Sequence, residues 1–148
     1  MIKVENLQKI YQTGSVTVEA LSNISFEIAA GEFVAIMGPS GSGKSTLMNL
    51  LGILDQPTSG KYILDNIDIS SLTEDQHSDI RNKKIGFVFQ AFNLLPRLNA
   101  RKNVELPMLY AGVKPSVRKE KALAALQRVG LQNRASHYPN ELSGGQNQ

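Results

Sequence analysis

The stretch Gly38-Pro39-Ser40-Gly41-Ser42-Gly43-Lys44-Ser45 decides the reading of this chain. It satisfies the spacing G-x-x-x-x-G-K-[ST]. A polyphosphate needs many hydrogen-bond donors at once, and a loop of small residues can turn its backbone N–H groups inward. Gly41 and Gly43 permit backbone angles that a side chain forbids. A helix opening near Lys44 would point its positive end at the anion. The pattern assigns Lys44 to the β- and γ-phosphates of a nucleotide and the Ser45 hydroxyl to Mg²⁺. The bland alternative is a glycine-rich turn that matches by chance.

The flanks decide between these. Phe33-Val34-Ala35-Ile36-Met37 is a continuous apolar run, the pattern of a strand buried on both faces of a largely parallel sheet. Ser45 to Ile53 carries the apolar stripe of a helix. A buried strand, a glycine loop and a helix in that order form the setting a phosphate loop requires.

Upstream, Ile2 to Leu7 alternates as a half-buried strand. Val16 to Leu21 reads as a second strand after the turn-prone Gln12-Thr13-Gly14-Ser15, and Ile24 to Ile28 alternates again. Ala30-Gly31-Glu32 reads as a turn. Downstream, Pro57 to Gly60 breaks the chain before a strand-like stretch, Lys61 to Ile69. Leu72 to Lys83 has helical character, and Ile85 to Phe89 is another buried-strand candidate. From about Ala100 to Gly130 helix formers dominate. Ala122, Leu123, Leu126 and Val129 share one helical face, and Gly130 is placed to stop it. These readings divide the chain into a strand-rich core to Gln90 and a helical part from 91 to 148.

Composition narrows the class. The 148 residues are 41% hydrophobic and 20% charged, with no cysteine, which excludes disulfides and thiolate metal sites. A net charge of +3 without a dense basic stripe argues against nucleic acid as a partner. The longest apolar run of concern, Leu47 to Leu54, is far short of the ~20 residues of a membrane span. Met1 to Glu5 lacks the basic and apolar regions of a secretory signal. A soluble chain is expected, reaching a membrane only through a partner. His77 and His137 are expected on the surface.

A second anchor lies at Leu142-Ser143-Gly144-Gly145-Gln146. Taken alone it reads as a helix start, with Ser143 as the cap. Taken with the phosphate loop, it makes the sequence resemble the ATP-binding cassette ATPases, whose defining pentapeptide is LSGGQ. The resemblance runs the whole length. Met37 to Gly60, Ile85 to Gln90, Phe92 to Pro96 and Asn103 to Pro107 look like the branch serving macrolide exporters and lipoprotein-release systems. Lys102 and Asn147 depart from that branch, where Glu and Gln are usual.

The resemblance implies an α/β phosphate-loop NTPase core, partial, with a mixed sheet and an antiparallel β subdomain, plus a helical subdomain ending in LSGGQ. It implies ATP and Mg²⁺ as cofactors and an ATPase that drives transport across, or extraction from, a membrane. Lys44 and Gln90 would be catalytic. Gly38, Pro39, Ser40, Gly41, Ser42, Gly43, Lys44, Ser45 and Thr46 would hold the nucleotide, and Ser45 and Gln90 would serve the metal. Tyr11 would stack on adenine; by itself it reads equally as an aromatic at a strand end. Gln90 by itself reads as a polar residue capping a strand. Ser143, Gly144, Gly145 and Gln146 would face the γ-phosphate held by a second subunit, in a homodimer or pseudo-dimer. Phe92 to Pro96 would meet a transmembrane permease, placing the chain on the cytoplasmic face of the membrane.

Two alternatives stand beside this. One is a truncated, non-catalytic nucleotide-binding fragment: the family's Asp-Glu strand ending and switch histidine are not in these residues, so weak binding, aggregation and poor turnover are expected of the chain by itself. The other is a different phosphate-loop protein, against which stands the lack of an Asn-Lys-x-Asp guanine motif.

Overall fold

The computed structural model describes residues 1–148. They form two compact units, Met1–Ile85 and Gly86–Gln148, where the sequence suggested a division at residue 90.

The first unit is built on a four-stranded antiparallel sheet. Strands β1 (Ile2–Thr13), β2 (Val16–Ile28), β3 (Ser59–Leu64) and β4 (Ile67–Asp68) lie in the order β2-β1-β3-β4. A two-residue turn at Gly14-Ser15 joins β1 to β2, with Thr13 opposite Val16. Both long strands are irregular. Asn6 and Asn23 have φ of 48° and 49°, and the β1–β2 register shifts between Val4 and Leu7. Asn tolerates the left-handed region better than most residues, and here the Asn6 backbone amide donates to Ser25 Oγ on the neighbouring strand at 2.8 Å. These bulges bend the ribbon and break its side-chain alternation.

One face of the sheet carries helix α1 (Lys44–Leu51). Val4, Leu7 and Leu21 from the strands close over Leu47, Leu50 and Ile53, with Tyr62 and Ile69 completing the core. Leu7 and Leu50 are sealed at 0% and 1% exposure. Tyr62 is buried among them with its hydroxyl donating to the Leu51 carbonyl at 2.9 Å, and burial pushes its ionisation up to about 12.

Helix α2 (Glu74–Lys84) starts on a capping box between Thr73 and Gln76, with Glu74 and Asp75 in its first turn and Arg81, Lys83 and Lys84 in its last. Both ends therefore match the helix dipole. His77 lies on this helix, and the expected surface position is corrected: it is 4% exposed, with Nε2 2.9 Å from the Ile69 carbonyl oxygen. The turn capped by Asp68 carries Ile69 back over α2, and the imidazole gives the Ile69 carbonyl a second partner beside the Leu72 amide, which donates to it at 3.3 Å.

The run Phe33–Met37 joins no sheet, which corrects the buried-strand reading. Phe33 and Met37 are 96% and 89% exposed. An apolar run supplies a strand's side chains but not its ladder. The four strands present pair with one another, and none offers its edge to residues 33–37. Ile85–Phe89 is likewise unpaired, with Val88 82% exposed.

The second unit is helical. Helices α3 (Ala100–Tyr110) and α4 (Pro115–Arg128) pack together, and the short α5 (Gly144–Asn147) follows. Ala122 and Leu126 are the buried residues of α4, two of the four positions expected on its apolar face. Pro115 starts that helix at a position where its missing N–H costs nothing, and Gly130, at φ 74°, follows its end.

Candidate functional site: a phosphate-binding loop

Residues 38–45 form a closed turn that feeds directly into α1. The Ser42 amide donates to the Pro39 carbonyl at 3.3 Å. Gly41 and Gly43 take φ of 80° and 86°, and Gly43 occupies the cap position of α1 in the left-handed region. The first bond of the helix runs from the Leu47 amide to the Gly43 carbonyl at 2.9 Å. The amides of Lys44, Ser45 and Thr46 precede it and so have no intrahelical acceptor. They converge with the positive end of the helix on one concave surface.

That surface bounds a cavity of about 320 Å³ lined by Ser40–Thr46 with Val18, Glu19 and Ala20 of β2. Lys44 lies back over the loop. Its Nζ donates to the carbonyls of Gly38 and Pro39 at 2.9 and 2.7 Å, and to Ser42 Oγ at 3.3 Å. The ammonium is held by two neutral carbonyls and a hydroxyl, with no carboxylate among these partners. The donor set fits a polyphosphate: unbonded amides, a helix N-terminus and one ammonium around a cavity large enough for several oxygens.

No group of three or more His, Cys, Asp or Glu side chains is gathered to hold a metal ion. The metal expectation from the sequence names only Ser45 and Gln90, uncharged oxygen donors of the kind compatible with Mg²⁺, which keeps few protein ligands.

Tyr11 sits near the end of β1, 37% exposed, with its hydroxyl donating to Asp55 Oδ2 at 2.7 Å. Lys9 Nζ donates to Asp55 Oδ1 and to the Gln56 carbonyl, both at 2.6 Å, and stands 4.8 Å from the centre of the Tyr11 ring. Burial pushes the Asp55 carboxyl up, but bonds from Lys9, Tyr11 and the Gln56 amide outweigh it and hold the group below the usual range. The Tyr11 phenol is raised, first by its bond to the Asp55 carboxylate and then by burial. Lys9 and Asp55 escaped the sequence reading. Their only local signal is that Lys9 and Tyr11 share one face of β1; Asp55 is 44 residues away from Tyr11.

In the second unit, Gln90 is exposed at a bend after Phe89. The Phe87 and Phe89 rings meet at 4.5 Å, and Gln148 Nε2 donates to the Phe89 carbonyl at 3.1 Å. Asn103 organises the loop that follows. It accepts from the Leu95 amide at 2.9 Å and donates to the Leu98 carbonyl at 2.9 Å. Ser143 caps α5 through a reciprocal box: its oxygen accepts from the Gln146 amide, and Gln146 Oε1 accepts from the Ser143 amide at 2.9 Å. Gly144 and Gly145 form the first turn. The helix start read from Leu142–Gln146 alone is thus present.

Comparison with known proteins defines the class. The family profile described as ABC transporter matches residues 21–148, so this chain belongs to the ABC transporter family. It is 57% identical over 148 residues to the ABC transporter ATP-binding protein YknY of Bacillus subtilis, covering all of this chain and 64% of that protein. It is 53% identical over its whole length to the macrolide export ATP-binding/permease protein MacB of Campylobacter fetus, of which it covers 23%. Among solved structures it resembles the ATP-binding cassette MJ0796, in a dimeric post-hydrolysis state bound to ADP and Pi, with a TM-score of 0.91 and 47% identity over 99% of this chain and 65% of that one. The fold is thus that of an ABC ATPase cassette, an α/β phosphate-loop NTPase. The chain spans about two thirds of the length of YknY and MJ0796. No helix is long and apolar enough to cross a membrane.

Proposed function

We propose that this chain is the nucleotide-binding part of an ABC transporter ATPase, with residues 38–46 as the cradle for the phosphates of ATP. The observation that carries this is the loop itself: Lys44 folded over a cavity rimmed by amides that no helical carbonyl accepts from.

In this reading Gly38 to Thr46 bind and orient the polyphosphate. The Lys44 ammonium exchanges the Gly38 and Pro39 carbonyls for phosphate oxygens, where a charge-assisted bond is stronger. Ser45, with Gln90, serves Mg²⁺, which would neutralise developing phosphate charge when bound. Tyr11 is the platform for the base. Ser143, Gly144, Gly145 and Gln146 present a hydroxyl and backbone donors to the nucleotide held by a second subunit. Phe92 to Pro96, held by Asn103, meets a transmembrane permease, which keeps the chain at the cytoplasmic face of the membrane.

Turnover is proposed for the full-length protein rather than for these 148 residues, because relatives of this kind are about half as long again. The similarity to MacB supports a transporter of the macrolide-export type; lipoprotein release is the alternative that the sequence resemblance offers. The test is an equilibrium titration of the full-length protein with a non-hydrolysable ATP analogue, with and without Mg²⁺, beside the matching GTP analogue. Mg²⁺-strengthened binding supports the reading. No binding of either nucleotide, or a clear preference for GTP, contradicts it.

A further inference from the structure

The segment leaving α1 returns to β1 by a strained route. Ile53 has φ of 55°, a region that β-branched side chains avoid. Its side chain is nonetheless buried, and its carbonyl accepts from Arg81 Nη1 at 2.7 Å. Strain of this kind persists only where surrounding contacts hold it, and it clusters where geometry serves function. Here the reversal at Gly52–Leu54 delivers Asp55 to β1. The return is then fixed beyond Asp55: the Thr58 amide donates to the Gln8 carbonyl at 2.8 Å, and the Ile10 amide to Thr58 Oγ1 at 2.9 Å.

Asp55 thus arrives with both carboxylate oxygens committed. Oδ2 accepts from Tyr11, and Oδ1 accepts from Lys9 and from the Gln56 amide. Lys9 is fixed in turn, with its Nζ against Tyr11 at cation–π distance. A tyrosine ring on an exposed strand end has free rotamers. This one is pinned at its hydroxyl and covered by a cation.

We infer that Asp55 and Lys9 are positioning residues that lock the Tyr11 ring so that one open face receives the nucleotide base. The inference rests on the reading of Tyr11 as the base platform. Fixing the ring before binding removes the rotamer entropy that stacking would otherwise cost. The Lys9 ammonium also draws on the ring's electron density from the covered side, which favours stacking of an electron-rich purine on the other. Asp55 acts only through Tyr11. It contributes nothing to the phosphate cradle, so its effect is confined to ligands that carry a base.

The test uses the full-length protein and two probes: a non-hydrolysable ATP analogue and inorganic tripolyphosphate, each with Mg²⁺. Asp55→Ala and Tyr11→Phe are each expected to weaken the analogue by about three- to tenfold, the loss of one partly exposed bond to a charged group. Neither should alter tripolyphosphate affinity by more than about twofold, well below one charge-assisted bond. The double variant should be no weaker than Asp55→Ala, because the bond lost in Tyr11→Phe is among those that Asp55→Ala removes. Asp55→Asn retains an acceptor for the phenol and should recover part of the loss. Unchanged analogue binding in Asp55→Ala overturns the inference. So do equal losses for both probes, which would mark a general structural role, and losses that multiply in the double variant. Failure of the unmodified protein to bind tripolyphosphate overturns the inference together with the phosphate-loop reading beneath it.

Discussion

Gly43 is packed against Ala20 so closely that a Cβ built on it would stand 2.6 Å from the Ala20 carbonyl oxygen. The same atom would meet Leu21 Cδ2 at 2.8 Å, and the residue holds φ at 86°. The phosphate loop is therefore seated on the backbone of β2, and only a residue without a side chain permits that seat. Gly41 shares the positive φ, 80°, but a Cβ there meets nothing within 4 Å.

The two glycines separate strain from contact. Gly41→Ala carries the conformational penalty alone and should destabilise by about 1 kcal/mol. Gly43→Ala adds a backbone collision and should cost about 3 kcal/mol or more, with loss of nucleotide binding. Thermal unfolding of the two variants checks this order. Equal effects would mean that the seat on Ala20 is not retained in solution.

The loop was legible in the sequence because its demands are local: small residues, two left-handed glycines and a helix start all lie within eight positions. The strands were only partly legible. Alternation stops at Leu7 and breaks between Leu21 and Ile24, because Asn6 and Asn23 take positive φ and shift the register. One continuous ribbon therefore read as separate pieces. Phe33–Met37 shows the reverse failure: its composition is that of a buried strand, but pairing depends on neighbours that composition does not report. The clamp on Tyr11 was invisible for the same reason, since Lys9, Tyr11 and Asp55 meet only through the fold.

The core beneath the loop should be sensitive to truncation. Leu50 is sealed between α1 and the sheet at 1% exposure, so Leu50→Ala leaves a cavity and should destabilise the chain by about 3 kcal/mol. Denaturant unfolding checks this, with a midpoint that falls while the slope stays constant.

Acid stability should depend on Asp65. Its carboxylate accepts from Lys84 Nζ and from the Met1 ammonium, each at 2.9 Å. Those bonds, Lys84 first, hold its ionisation down at about 2 against an ordinary 3.8. A folded-state value below the unfolded one gives stability that is present above pH ~4 and lost as pH falls through the folded value. Asp65→Asn should therefore unfold more readily at neutral pH, and the difference from the unmodified chain should shrink as pH drops from about 4 towards 2. A difference that stays constant over that window would show that the ion pairs do not form.

The exposed apolar run should drive self-association of the isolated 148 residues. Phe33, Met37 and Val88 are almost fully open to solvent, and the backbone around them joins no sheet. Sedimentation over a range of concentrations should show association that Phe33→Lys with Met37→Lys reduces. A monomeric unmodified chain at high concentration would contradict this.

On the proposed function, Lys44 and the amides around it grip a triphosphate. Equilibrium binding of a Mg²⁺-complexed, non-hydrolysable ATP analogue to the full-length protein and to its Lys44→Ala variant tests it most directly. A loss of about a hundredfold is expected, the worth of charge-assisted bonds from one ammonium to two phosphates, with the fold intact by circular dichroism. An affinity unchanged by the substitution would contradict it.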